Sequence, residues 1–155
     1  MSRGVYSLLI QLGQKRSIIS RSGLRWHLQE GHYVYTGSAM GNSSTSLEKR
    51  LERHLKVRKR CFWHIDKLLD GSAKVVSTIY AKTASRMECK VNKKISSVPH
   101  ASPIKGFGSS DCRFGCIGHL IFLNSNSDDL IMLLRGAYLD LGLSYKEIGM
   151  GFGYR

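Results

Sequence analysis

The chain has 155 residues with 24 Lys+Arg against 11 Asp+Glu, a net charge of +13. That length suits one domain, burying roughly 68–70% of the surface exposed by the unfolded chain. No run reaches the roughly 18 apolar residues of a membrane helix, and the first apolar stretch is too short for a signal-peptide core, so a cytoplasmic protein with no membrane partner is expected.

Val5 to Leu12 is apolar with partial alternation and reads as a strand, followed by a turn at Gly13-Gln14-Lys15-Arg16 and a second strand from Ser17 to Arg21. Gly31 precedes a third strand, His32 to Ser38, in which Tyr33 and Tyr35 fall on one face. After a loop at Gly41-Asn42-Ser43-Ser44, a helix is expected from Leu47 to Val57, because Leu47, Leu51 and Leu55 recur every four residues. Phe62 to Leu69 reads as a short helix, Lys74 to Ala81 as a strand and Ser85 to Ile95 as a third helix. Pro99 and Pro103 mark a loop that continues through Lys105 to Gly118. His119 to Leu123 is a last strand. Asp128 to Leu141 is a helix that Ser127 can cap, with Asp128 and Asp129 well placed for its dipole. The tail from Gly149 to Arg155 reads as frayed. This mixed order, opening on a meander, predicts a single α+β domain over residues 1–155 rather than a doubly wound parallel sheet.

The positive charge is localised. Residues 1–104 hold 19 Lys+Arg and 6 Asp+Glu, whereas residues 105–155 hold 5 of each. Lys49 to Arg60 alone contains seven basic residues and one acid. Such a face attracts a polyanion by counterion release whatever its sequence. Nucleic acid is the expected partner, with Lys49, Arg53, Lys56, Arg58, Lys59 and Arg60 as the candidate binding residues.

Within this basic stretch lie residues suited to phosphodiester chemistry. Tyr6 and Tyr35 sit on two strands that, if adjacent and antiparallel, point both phenols to one face; each alone reads equally as an amphipathic sheet residue. Gly37-Ser38-Ala39 would let a phosphate approach the backbone. Arg50 and His54 are four apart on the predicted helix and share a face. A guanidinium can clamp non-bridging oxygens and stabilise transition-state charge, and an imidazole can orient water or shuttle a proton.

In order, Gly4-Val5-Tyr6, Tyr33-Val34-Tyr35-Thr36-Gly37-Ser38-Ala39, Arg50-Leu51-Glu52-Arg53-His54-Leu55, Trp63-His64-Ile65-Asp66, Glu88 and Phe107-Gly108-Ser109-Ser110-Asp111-Cys112 with His119-Leu120 resemble the GIY-YIG nuclease superfamily. They are closest there to the compact domain-of-unknown-function 123 family, sometimes fused to an endonuclease III-like repair domain. The resemblance spans roughly residues 4 to 124. It implies a GIY-YIG endonuclease-like fold with a small central antiparallel sheet flanked by helices. It also implies one divalent ion, Mg2+ or Mn2+, held by Glu88. By the same resemblance Tyr6 helps to activate water, Tyr35 positions phosphate or water, Arg50 stabilises the pentavalent phosphate and His54 assists. DNA, more than RNA, is the implied substrate, with DNA repair as the setting and repair proteins as partners. A non-catalytic nucleic-acid-binding module that keeps the fold is the alternative. Thr36 departs from the pattern and should alternate away from the site. No residue takes the role of the asparagine that some members carry soon after the metal glutamate; Asn92, His100 and Ser102 are the polar residues following Glu88.

The cysteines Cys61, Cys89, Cys112 and Cys116 have no secretory context and read as reduced thiols or metal ligands. Cys112, Cys116 and His119 form C-x3-C-x2-H, with Cys61 and His64 available to complete four zinc ligands. The spacing is not that of a standard finger, so buried thiols are favoured over zinc. His64 and Asp111 could instead pair with each other.

Overall fold

The structure, a computed structural model, describes residues 2–20, 22–41, 46–55, 64–69, 73–108, 112 and 114–149. It is a mixed α+β fold in which a six-stranded antiparallel sheet is flanked by four helices. In chain order these are β1 (Gly4–Leu12), β2 (Arg16–Ile19), β3 (Arg25–Leu28), β4 (Gly31–Ala39), α1 (Leu47–Leu55), α2 (His64–Leu68), β5 (Ala73–Lys82), α3 (Glu88–Ser96), β6 (Ala101–Pro103), β7 (Leu120–Leu123), α4 (Ser127–Asp140) and β8 (Tyr145–Gly149). The large sheet runs β6-β7-β4-β1-β5-β8, and β2 and β3 pair separately as a hairpin.

β1 lies inside the sheet between β4 and β5 and is buried on both faces. Its side chains alternate between two cores. Tyr6, Leu8, Ile10 and Leu12 join Leu47, Leu51 and Leu55 of α1, Ile65 and Leu68 of α2, and Trp26 and Leu28 of the hairpin. Val5 and Leu9 join Val91 and Ile95 of α3 and Leu130, Leu134 and Tyr138 of α4. A bulge opposite Leu9 and Ile10 shifts the register of β5, so Val75 faces the first core and Ile79 the second. The leucine face predicted for α1 is the face that packs, each leucine contributing about 1.5–3 kcal/mol by burial. In the second core, the Ser7 hydroxyl lies 2.8 Å from Thr36 Oγ1 and 3.0 Å from the Tyr138 phenol. Thr36 therefore does point away from Tyr6 and Tyr35, into a polar contact that fastens α4 to the sheet.

Several elements differ from the sequence expectation. β3 is not among the expected strands, although its exposed–buried alternation is that of a strand. Pro103 ends a short strand, β6, at the sheet edge, where a missing N–H costs no ladder bond. Gly149 is not in a frayed tail but closes β8, an edge strand paired with β5 whose Glu147 accepts from Arg135. The cap of α4 is Asn126, whose side chain accepts from the Asp129 N–H at 2.9 Å, rather than Ser127. α3 begins at Glu88, not Ser85. No helix among the described residues is long and apolar enough to cross a membrane.

Candidate active site and metal cluster

The β1–β4 register sets Tyr6 opposite Gly37 and Leu8 opposite Tyr35, which places both tyrosines on one sheet face. Their ring centroids are 6.4 Å apart. α1 crosses this face and adds His54, whose ring lies 5.2 Å from that of Tyr6 and 6.4 Å from that of Tyr35. The Tyr6 hydroxyl is 2.9 Å from His54 Nε2. Gly37 makes this packing possible, since a Cβ there would stand 2.6 Å from the Tyr6 hydroxyl oxygen. Its missing side chain accommodates a phenol, not the phosphate expected from the sequence.

Arg50, one turn before His54, donates from Nη1 to the Ser38 carbonyl at 3.2 Å. The Ser38 hydroxyl donates to the Glu88 carboxylate. Glu88 opens α3, where the unpaired N–H groups of a first turn favour a negative charge, and Arg86 lies 3.8 Å from its other oxygen. Burial pushes the Tyr6 phenol up to about 12 against the opposing pull of Arg50, with Asp66 and Glu88 adding to the rise. Tyr35 is raised in the same way, first by burial and then by the neighbouring Tyr6. Tyr6, Tyr35, Arg50, His54 and Glu88 thus converge at the end of β1 and β4.

The remaining basic residues divide. Lys49 is exposed on α1, 3.7 Å from Glu52. Arg53 does not face a ligand; it turns inward and forms a 2.9 Å ion pair with fully buried Asp66 of α2. This pair ties α1 to α2 beside His54 and supplies the role for Asp66 that the sequence left open. Lys56, Arg58, Lys59, Arg60, Cys61 and Asp111 lie outside the described residues, as does the His64 side chain.

Cys112, Cys116 and His119 do come together, and their fourth partner is Cys89, one residue after Glu88. The four ligand atoms all lie within 4.8 Å of one another. Cys89 Sγ is 3.6 Å from Cys112 Sγ and 3.8 Å from His119 Nε2. The sulfur separation is far beyond the ~2.05 Å of a disulfide, and all three cysteines are free. Burial opposes ionisation of Cys112, but bonds from the Phe114 and Cys116 backbone and from His119 outweigh it and draw its thiol down to about 6. A set of three sulfurs and one imidazole nitrogen can hold a metal ion of the zinc type, which overturns the preference for plain buried thiols. Sequence spacing alone could not choose Cys89 over Cys61, because the choice depends on which helix packs against the 112–119 loop.

Asn92, on the same face of α3, donates from Nδ2 to the Gly118 carbonyl at 2.8 Å. It secures the cysteine loop and does not reach the Glu88 carboxylate's side of the helix start.

No curated protein and no solved structure matches the chain. A family model described as "Domain of unknown function DUF123" matches residues 5–138, a span that contains both the tyrosine cluster and the cysteine cluster. The chain belongs to the DUF123 family.

Proposed function

We propose that the chain is a divalent-metal-dependent endonuclease that hydrolyses phosphodiester bonds in DNA, related to the GIY-YIG nucleases, with DNA repair as its setting. The observation that carries this reading is the convergence of Tyr6, Tyr35, Arg50, His54 and Glu88 from four separate elements. A protein that only binds DNA needs its basic residues, not two buried phenols and a buried histidine beside a carboxylate.

The chemistry follows from the contacts. With the Tyr6 hydroxyl donating to Nε2 of His54, the phenol oxygen keeps lone pairs for a water proton. As that proton moves to Tyr6, the phenol proton moves to His54, and the water oxygen forms its bond to phosphorus while the leaving oxygen departs. The high proton affinity of the buried Tyr6 opposes a free phenolate and favours this concerted transfer. Arg50 presents positive charge to the non-bridging oxygens as charge builds. Tyr35, on the same face, orients the phosphate or the water.

A hard divalent cation fits the donor set, since Mg2+ is commonly held by one or two carboxylates with water and substrate phosphate completing its shell. Glu88 supplies the carboxylate and Ser38 an adjacent hydroxyl. Bound there, Mg2+ or Mn2+ would act as a Lewis acid on the phosphate.

The test is cleavage of plasmid and branched DNA with Mg2+ or Mn2+. Wild type should nick, and Arg50→Ala should lose about 100–1,000-fold in rate while still binding. Cleavage at the wild-type rate by Arg50→Ala contradicts the site. DNA that is bound but never cut with either ion identifies a non-catalytic binding module.

A further inference from the structure

We propose that Cys89, Cys112, Cys116 and His119 hold one zinc ion in a closed tetrahedral site of three sulfurs and one nitrogen, and that this ion sets the position of Glu88. The second half rests on the nuclease reading above; the first does not.

The geometry is that of a zinc site in its ligand separations. Tetrahedral zinc with Zn–S near 2.3 Å and Zn–N near 2.0–2.1 Å requires sulfur–sulfur edges of about 3.8 Å and sulfur–nitrogen edges of about 3.6 Å. Cys89 Sγ stands 3.6 Å from Cys112 Sγ and 3.8 Å from His119 Nε2. All four donors come from protein, which leaves no coordination position for substrate and makes the site structural rather than catalytic.

The chain around the cluster has need of such a crosslink. Between β6 and β7 the described residues form no helix or strand. The contacts that hold this segment run to the same helix as Cys89. Asn92 Nδ2 donates to the Gly118 carbonyl, and Lys93 Nζ donates to the Phe114 carbonyl, both at 2.8 Å. Cys89, Asn92 and Lys93 are spaced i, i+3 and i+4, so a single face of α3 grips the loop. A metal bond at Cys89 completes that grip at the end of the helix nearest the active site.

The loop also reaches the tyrosine cluster. Gly108 has a φ of +68° and lies so close to Tyr35 that a Cβ would meet its ring at 3.1 Å and the His119 Cβ at 3.4 Å. The His119 carbonyl accepts from the Thr36 N–H at 3.2 Å. One zinc ion would therefore fasten three parts at once: α3 one residue beyond Glu88, the loop that backs Tyr35, and the edge of β4. Glu88 is the sole predicted ligand of the divalent ion, and a misplacement of ~1 Å in such a site lowers the rate by about 100-fold.

The full-length protein, purified without added metal and dialysed against a weak chelator, should retain one zinc ion per chain by elemental analysis. Replacement by Co2+ should give the intense visible d–d bands of a tetrahedral ion and sulfur-to-cobalt charge transfer. Cys112→Ser should lose both signals. Cys116→His, which keeps four ligands, should retain them and preserve the circular dichroism of the wild type, separating loss of metal from loss of fold. A folded wild-type chain that binds no zinc or cobalt, or a Cys112→Ser chain that binds as tightly as wild type, overturns the site.

The link to Glu88 is read by Mn2+ binding, followed by electron paramagnetic resonance. Zinc-depleted but folded protein should bind Mn2+ about 10–100-fold more weakly than the zinc-loaded form, the range typical when the support of a metal ligand is lost. Equal Mn2+ affinity in both forms overturns the positioning role. Zinc-loaded protein that cuts no DNA with Mn2+ fails the nuclease reading and leaves the zinc site standing.

Discussion

The Tyr6 hydroxyl oxygen lies 2.9 Å from Nε2 of His54, and the two side chains are 1% and 2% exposed. A hydrogen bond so well removed from water is electrostatically stronger than one at the surface, and the phenol oxygen cannot be replaced by solvent. Tyr6→Phe keeps the ring that packs on Tyr35 and removes only this oxygen. Cleavage should fall by about 100–10,000-fold, the range spanned by general acid–base groups. Thermal stability should change by only about 1 kcal/mol, one lost hydrogen bond. Single-turnover cleavage and a melting curve on the same sample check both halves; a large loss of stability with cleavage intact refutes the assignment.

Gly37→Ala tests the same contact from the opposite strand. The new methyl would stand 2.6 Å from the Tyr6 hydroxyl oxygen and 2.8 Å from Cζ, so the phenol must move off His54. Overpacking of this kind costs about 1–3 kcal/mol. Cleavage should drop with it, while DNA affinity, governed by distant basic residues, stays within about twofold because phosphate contacts dominate binding. Denaturant titration and a filter-binding assay separate these effects.

Arg53 and Asp66 provide a prediction with a built-in asymmetry. Asp66 is fully buried, whereas the Arg53 side chain is 23% exposed. Removing the arginine leaves a carboxylate with no route to water, while removing the carboxylate leaves a guanidinium that can still hydrate in part. Arg53→Met should therefore destabilise by about 3–5 kcal/mol and Asp66→Asn by about 3 kcal/mol or less. Arg53→Met should also leave the salt dependence of DNA binding unchanged, since this cation neutralises no phosphate. Urea unfolding and the slope of log affinity against log salt measure the two consequences.

Alkaline pH should weaken the fold through its tyrosines. Burial holds the phenols of Tyr6 and Tyr33 up to about 12 and raises Tyr35 and Tyr138 as well, against a reference of 10.0. Below 10 these groups are protonated in both folded and unfolded chains and contribute no pH dependence. Above it the unfolded chain ionises first, so stability falls as pH rises from 10 toward the folded values. Denaturation midpoints should decline over that interval, with phenolate absorbance appearing together with unfolding. Phenolate that appears well before unfolding contradicts the burial of the cluster.

Much of this arrangement can be read from local pattern. The alternation of β1 and β4 and the four-residue recurrence of Leu47, Leu51 and Leu55 are set by backbone geometry, which repeats within a few residues. From that periodicity follow the faces of Tyr35, Thr36, Arg50 and His54, and the structure places them accordingly. The short edge strands β6 and β8 escape the same reading. Each is paired on one side only and carries a proline or charged residues in place of an apolar repeat.

Residue type and order were enough to single out Tyr6, Tyr35, Arg50, His54 and Glu88, because the required chemistry restricts which side chains can serve. They could not show that Arg53 points inward to Asp66, that Gly37 makes room for a phenol, or that Cys89 joins Cys112, Cys116 and His119. Each of those facts depends on contact between segments 13 to 31 positions apart in the chain. Such contacts are selected by how the helices lie on the sheet, and packing of that kind leaves no periodic trace in the sequence.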